Sequence, residues 1–403
     1  MSKQIYPESI TGKGSRSFAP GGSVLDHKFG ASDPYTLGVE EEYMLLDGET
    51  FDLVQHIDTV LAAVHGHELE PRINAELMQS VLEIATPVCR TAADVEEQLR
   101  KIRGYVIETA RTQGLRVGSA GTHPFSLFER QRITARDRYR NLVDQLQYVA
   151  RRELIFGMHV HVAVDDPEKA IQVVNGLLNH LGQLLALSAS SPFWRGEPTG
   201  LSSSRQMVFA AFPRSGPPPR FRDYADYAEV VGQLEKTGCI ADYTHIWWDI
   251  RLHPRLGTIE IRICDATTRL EDVVALTAYC QALVKHYCEQ YERGEEIPSY
   301  HRILTTENKW LAARYGLEAP VMDLTTGKRN RLPVAQLIRR TLKEIEPHAR
   351  ELGSERELEG IQQILARGSG ADRQLRIFNA NRDIVEVAQE IADATEVAAA
   401  IPA

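Results

Sequence analysis

A chain of 403 residues is long enough for one large domain or two ordinary ones, and a formal charge of −9 argues against a nucleic-acid scaffold, where a basic face supplies much of the affinity. The five cysteines, Cys89, Cys239, Cys264, Cys280 and Cys288, contain no CxxC pair and stand mostly in apolar runs, the pattern of reduced thiols in a cytoplasmic protein. No stretch approaches the roughly 20 apolar residues that cross a bilayer, which leaves a membrane partner without support.

Residues 1–33, rich in Gly, Ser and Lys and without a compact apolar segment, read as a flexible tail, and 34–397 as a single domain. A strand is predicted over 35–46, then a turn at 47–49, a helix over 53–64 and a strand over 81–85. Thr91 or Asp94 caps the next helix, whose apolar positions Val95, Leu99, Ile102, Val106 and Ile107 recur at helical spacing until Gly114 ends it. A short strand over 115–120 leads into an arginine-rich segment at 130–140, followed by a strand over 154–164 and a long helix over 167–190. The polar connection 191–222 carries Gly-Pro and Pro-Pro clusters, and its length marks it as functional or disordered. Residues 245–253 and 258–264 read as paired strands about the turn 254–257, and from Leu270 helices dominate: 271–291, 302–315, 333–352 and shorter pieces to Val397. Strands in the first two thirds and helices in the last predict an α+β fold.

Side chains two apart on a strand share a face. Parity therefore puts Glu40 and Glu42 on the polar side of the first strand, with Glu41 opposite among Leu37, Val39 and Tyr43. It likewise pairs His159 with His161, Asp249 with Arg251, and Glu260 with Arg262, the last opposite Ile259, Ile261 and Ile263. Carboxylates gathered on one face repel unless a cation joins them, so the arrangement asks for divalent metal, and the arginines beside it ask for phosphate. Glu83, between Leu82 and Ile84, is a further candidate ligand; Glu76, seven residues earlier, reaches the same place only if the chain bends between them. Arg195 and Arg205, beside Trp194, are candidates for a substrate carboxylate or phosphate, and Arg136, Arg138 and Tyr139 carry weaker claims. Arg314 reads locally as a favourable charge at a helix C-terminus closed by Gly316. Phosphate loops of the GxxxxGK[ST] and GxGxxG types are absent, and so is a GxSxG elbow.

Taken together, segments 36–43, 157–162, 191–196, 199–205, 248–251, 257–262 and 308–316 resemble the carboxylate–amine ligase family, the YbdK-type branch related to type 2 glutamate–cysteine ligases. The resemblance implies a glutamine-synthetase-like curved antiparallel sheet with helices packed on its outer side, forming one catalytic domain. It further implies an ATP-dependent ligase that makes an amide through an acyl phosphate, with glutamate and cysteine as default substrates. By the same resemblance Glu40, Glu42, Glu83, His159 and Glu260 are ligands for Mg2+ or Mn2+, Arg262 and Arg251 act on the transferring phosphate, and Arg195, Arg205 and Arg314 hold substrate. Segment 191–222 is the candidate cover over the acyl phosphate. The implied partners are an amino-acid carboxylate and an amine, with no nucleic acid and no membrane, in a homo-oligomer for which a dimer is favoured. Two other readings stay open at this point: a nucleotide-binding regulatory protein of the same fold without turnover, and a guanidino kinase.

Overall fold

The computed structural model describes residues 26–326 and 330–397. The predicted strands become β1 (Leu37–Asp47), β3 (Val81–Ala85), β4 (Leu115–Gly118), β5 (Met158–Ala163), β6 (Ile250–His253) and β7 (Thr258–Ile261), and the sheet adds β2 (Ile73–Ala75), which the sequence did not predict. They pair antiparallel in the order β6-β7-β5-β1-β3-β2, with β4 on the far end of β1. The α+β expectation is met.

The register is held by the apolar face. Ile259, Ile261 and Ile263 are fully buried, and burying three such side chains stabilises by roughly 5–9 kcal/mol. A one-residue slip would forfeit that and turn Glu260 and Arg262 into the core. In the register observed, Glu42 stands opposite Glu83, Glu40 opposite His159, and Glu260 between His161 on one side and Arg251 on the other.

The apolar face packs on helices α1 (Ala92–Arg111) and α2 (Leu270–Glu292), which also pack on each other. Both expected caps of α1 act: Thr91 accepts from the Asp94 amide at 3.1 Å while Asp94 accepts from the Thr91 amide at 2.9 Å. Its predicted apolar stripe, Val95, Leu99, Ile102, Val106 and Ile107, is buried. Glu41, on this side as parity requires, meets Arg103 of α1 at 2.5 Å and the Tyr43 hydroxyl at 2.6 Å.

Four expectations change. The single helix over 167–190 is two, Pro167–Leu177 and Leu181–Ser188, joined by a 3-10 turn at Leu178–His180. There Asn179 donates to the Pro298 carbonyl at 2.8 Å and His180 lies 2.8 Å from the Tyr287 hydroxyl, so the turn is held by side chains reaching outside the helix. Segment 191–222 is not a loose loop: Ser191, Ser203, Ser204, Arg205 and Gln206 are buried. Asp265, itself fully buried, accepts from the Ser190 amide and the Ser191 and Ser203 hydroxyls at 3.1, 2.7 and 2.9 Å. Asp249 leaves the polar floor, because it lies just outside the regular strand and pairs with Lys309 at 2.6 Å. Of the tail expected over 1–33, residues 1–25 lie outside the described residues. The rest lies against the domain: Lys28 donates to the Pro254 carbonyl at 2.9 Å and Phe29 is buried.

Candidate active site

The polar face of the sheet opens into a cavity of about 320 Å3. β1 contributes Glu40 and Glu42, β3 Glu83, β5 His159 and His161, β6 Arg251 and β7 Glu260, with Arg262 just beyond its end.

Glu260 is the hub of one half. Arg251 reaches its Oε2 through Nε at 2.8 Å and Nη2 at 2.7 Å, and Arg262 Nη1 donates to Oε1. The two guanidiniums outweigh the effect of burial and hold the Glu260 carboxyl well below the usual carboxylate range. Glu40 lies 3.0 Å from His159 Nδ1 and 3.5 Å from His161 Nε2. Burial by itself would raise Glu40, but these two imidazoles bring it well below its ordinary value. The histidines divide: burial, then Arg262, brings His159 down to about 4, whereas Glu260 and Glu40 raise His161 against its burial.

The other half is acidic, and the arginines that reach it, Arg138, Arg205 and Arg262, do not offset the burial of its carboxyls. Burial, then the charge of Glu76, pushes Glu42 up to about 7. Burial raises Glu83 well above the carboxylate range, with Glu76, Glu40 and Glu42 adding to it. Glu76 is raised chiefly by burial and Glu153 is pushed up to about 8 for the same reason. Glu76 belongs here because the chain makes the required bend: β2 ends at Ala75 and β3 starts at Val81, bringing Glu76 and Glu83 to one cavity.

This donor set fits a divalent cation. Oxygens of Glu40 and Glu260 and a nitrogen of His161 lie within 4.8 Å of one another. His161 Nε2 is buried and makes no hydrogen bond, while Nδ1 is turned to the Thr258 hydroxyl at 3.0 Å, which orients the ring. Two carboxylates with one imidazole suit a divalent cation without selecting one. This trio uses His161, which parity places on the polar face but which the family resemblance left out of the ligand set, while His159, the expected ligand, stands beside it on Glu40.

Among the expected arginines, Arg251, Arg262 and Arg205 line the cavity. Arg205 is 3.7 Å from Asp265 and donates to the Ile263 carbonyl at 3.3 Å, so segment 191–222 forms part of the wall through it and through Phe209 and Phe212. The structure does not bring Arg195 or Arg314 into this cavity. Arg195 is half-exposed on Glu129 at 2.7 Å, and exposed Arg314 donates to the Gly200 carbonyl at the end of helix Arg302–Tyr315. Arg138 and Tyr139 of the arginine-rich segment do arrive, as do Glu153, His245, His253 and Trp247, which no periodicity singled out.

The model of glutamate–cysteine ligase family 2 matches residues 36–393. A protein of Rubrobacter xylanophilus, provisionally named glutamate–cysteine ligase 2-1, is 44% identical over 378 residues, 93% of this chain and 98% of its own. One of Sorangium cellulosum, provisionally named glutamate–cysteine ligase 2, is 43% identical over 358 residues, 89% of this chain and 95% of its own. Among solved structures, the glutamate–cysteine ligase of Francisella tularensis in complex with AMP superposes with a TM-score of 0.64 at 11% identity, over 90% of this chain and 89% of that one. The bifunctional glutathione synthetase of Pasteurella multocida gives 0.66 at 16% identity, over 90% of this chain and 53% of that one. At such identities these superpositions show a shared fold. The near-full-length family match and the close relatives show more: this chain belongs to glutamate–cysteine ligase family 2.

Proposed function

We propose that the protein is an ATP-dependent carboxylate–amine ligase that activates a substrate carboxylate as an acyl phosphate and joins it to an amine, with glutamate and cysteine as the default pair. The observation that carries this reading is the division of one sheet face into an arginine-bound half, around Glu260, and an acidic half without ion pairs of its own among the described residues, around Glu42, Glu76 and Glu83. An acidic pocket alone would repel a polyphosphate, and an arginine pocket alone would need no acids.

In this reading Glu40, His161 and Glu260 hold one divalent ion, and Glu42, Glu76 and Glu83 hold further cation charge. Bound ions would supply neutralisation of the polyphosphate and alignment of its terminal group. Arg262 keeps a buried Nε without a hydrogen-bond partner while its Nη1 is tied to Glu260, so it is pre-aimed and has a donor to spare for a transferring phosphoryl oxygen. Arg251 is fixed at both ends, on Glu260 and on the Thr244 and Ile246 carbonyls at 2.9 and 3.0 Å. It acts by locking Glu260 in place. Arg205, whose Nε is also buried without a partner, is the candidate anchor for the substrate carboxylate. The wall of Phe209, Phe212 and Trp247 narrows water access to the activated carboxyl.

The test is incubation with ATP, Mg2+, glutamate and a panel of amines, with the amide identified by mass. ADP release that depends on both acid and amine is expected. Folded protein that releases none with any pair overturns the reading.

A further inference from the structure

A second cavity, of about 150 Å3, opens between the start of α2 and the loop 368–370 that leads into helix α3 (Gly370–Asn381). Four arginines line it, Arg269, Arg367, Arg373 and Arg376, and among the lining residues Asp272 is the one acid. Two of these guanidiniums are neutralised: Arg367 is ion-paired with Asp272, and Arg373 lies 3.2 Å from Glu390. The other two are not. Arg376 donates to the Arg367 carbonyl at 2.9 Å and has no carboxylate partner among the described residues. The Arg269 side chain makes no hydrogen bond or ion pair among them, although its charge is felt by Asp272 and Glu390, which Arg367 and Arg373 already occupy. The remaining nearby acid, Asp372, is committed to the helix cap, accepting from the Ser369 amide at 2.7 Å and its hydroxyl at 2.8 Å.

Like charges gathered at one cavity, here the half-buried Arg269 and Arg376 at its exposed rim, repel, and an anion shared between them removes that cost. The flat fork of arginine matches an oxyanion with several acceptors, and the positive end of α3 at Gly370 adds to the attraction. We propose that this cavity binds inorganic phosphate, held between Arg269 and Arg376 at the entrance to α3. The site is separate from the ligase cavity but hydrogen-bonded toward it. The Ala371 amide donates to the Ala189 carbonyl at 2.8 Å, and Gln374 donates to the Ser190 carbonyl at 2.8 Å. Ser190 in turn donates to Asp265, the partner of Arg205.

The proposal is tested by titrating the full chain with inorganic phosphate, at ionic strength held constant with chloride, and following the melting temperature. Arg269→Gln, Arg376→Gln and, as a control in the other cavity, Arg262→Ala are run beside the wild type. A saturable rise is expected in the wild type and in Arg262→Ala, with apparent affinity at least ten-fold weaker in both second-cavity variants. If Arg269→Gln does not fold, Arg376→Gln alone carries the comparison. A phosphate effect that survives the second-cavity substitutions unchanged, or disappears with Arg262→Ala, overturns the proposal, as does the absence of any saturable effect. In a crystal soaked with tungstate, density between Arg269 and Arg376 supports it and density confined to the ligase cavity overturns it.

Discussion

The two faces of β1 carry adjacent glutamates with opposite fates. Glu41, on the helix side, has Arg103 at 2.5 Å and the Tyr43 hydroxyl at 2.6 Å, and Arg103 spends a further donor on the Thr268 carbonyl at 3.0 Å. Every charge there has a fixed partner. One residue to either side, Glu40 looks into a cluster of imidazoles and Glu42 into other carboxylates, and burial with the charge of Glu76 drives Glu42 up to about 7. A carboxylate matched within the fold holds elements together, while one left facing its own kind in a cavity is arranged for something that arrives from outside.

The contrast breaks most visibly at Arg262, where replacement by Ala should lower amide formation about 1,000-fold at a smaller cost in stability than Arg103→Ala, because Arg251 still holds Glu260. A comparable loss of stability with no loss of rate would move Arg262 to the structural face. On that face, Arg103→Ala leaves Glu41 buried without its cation and should destabilise by about 3–5 kcal/mol in denaturant unfolding, with little change in activity per folded molecule. Joint replacement of Glu41 by Leu and Arg103 by Met should regain much of that loss; failure to regain any would mean that the pair supports the fold beyond its charges.

The pH response separates the faces more gently. Glu42, at about 7, and Glu153, at about 8, lie above their ordinary value of 4.5, and Glu76 and Glu83 are raised with them. Raised carboxyls hold protons in the folded state that the unfolded chain has released. Their contribution is therefore complete below about pH 4.5 and is lost as pH rises through 7 to 8. In the window above the ordinary histidine value, where the buried neutral imidazoles no longer contribute, metal-free protein should melt at a lower temperature at about pH 9 than at about pH 7.5, and Mn2+ should stabilise it more at about pH 9, where the ligands are ionised. Calorimetry with and without chelator reads both effects. The smallest change is expected at Arg195, whose partner Glu129 is itself half-exposed. Arg195→Ala should alter stability by no more than about 0.5 kcal/mol and amide formation by less than about three-fold. A larger loss in the amide assay would return Arg195 to the substrate-binding role that family resemblance implies.

Much of the site was legible before any coordinates. Glu40 and Glu42 with Glu41 behind them, His159 beside His161, and Glu260 beside Arg262 all follow from parity, and the helix Ala92–Arg111 from its caps and stripe. Asp249 shows the limit of parity, because one irregular position ahead of β6 sends it to Lys309 instead of the cavity. Glu153 and Trp247 carry no local signal, since what makes them cavity residues is the return of distant chain. Segment 191–222 reads as a loop because it is long and polar and carries Gly-Pro and Pro-Pro clusters. Its serines are interior because Asp265, more than 60 residues on from Ser191 and Ser203 in the chain, gathers their donors.

Alternation of side chains is a property of a few consecutive residues, so sequence alone determined which acids and bases share a face and, through the stripe of isoleucines opposite them, that this face is not the core. Which strands lie next to one another is a matter of long-range pairing. Only the tertiary structure set His161 of β5 against Glu260 of β7, left its Nε2 without a hydrogen bond, and placed Arg251 and Arg262 on either oxygen of that glutamate. Sequence supplied the charges on the floor, and the order of strands decided which of them neutralise each other and which remain for a ligand.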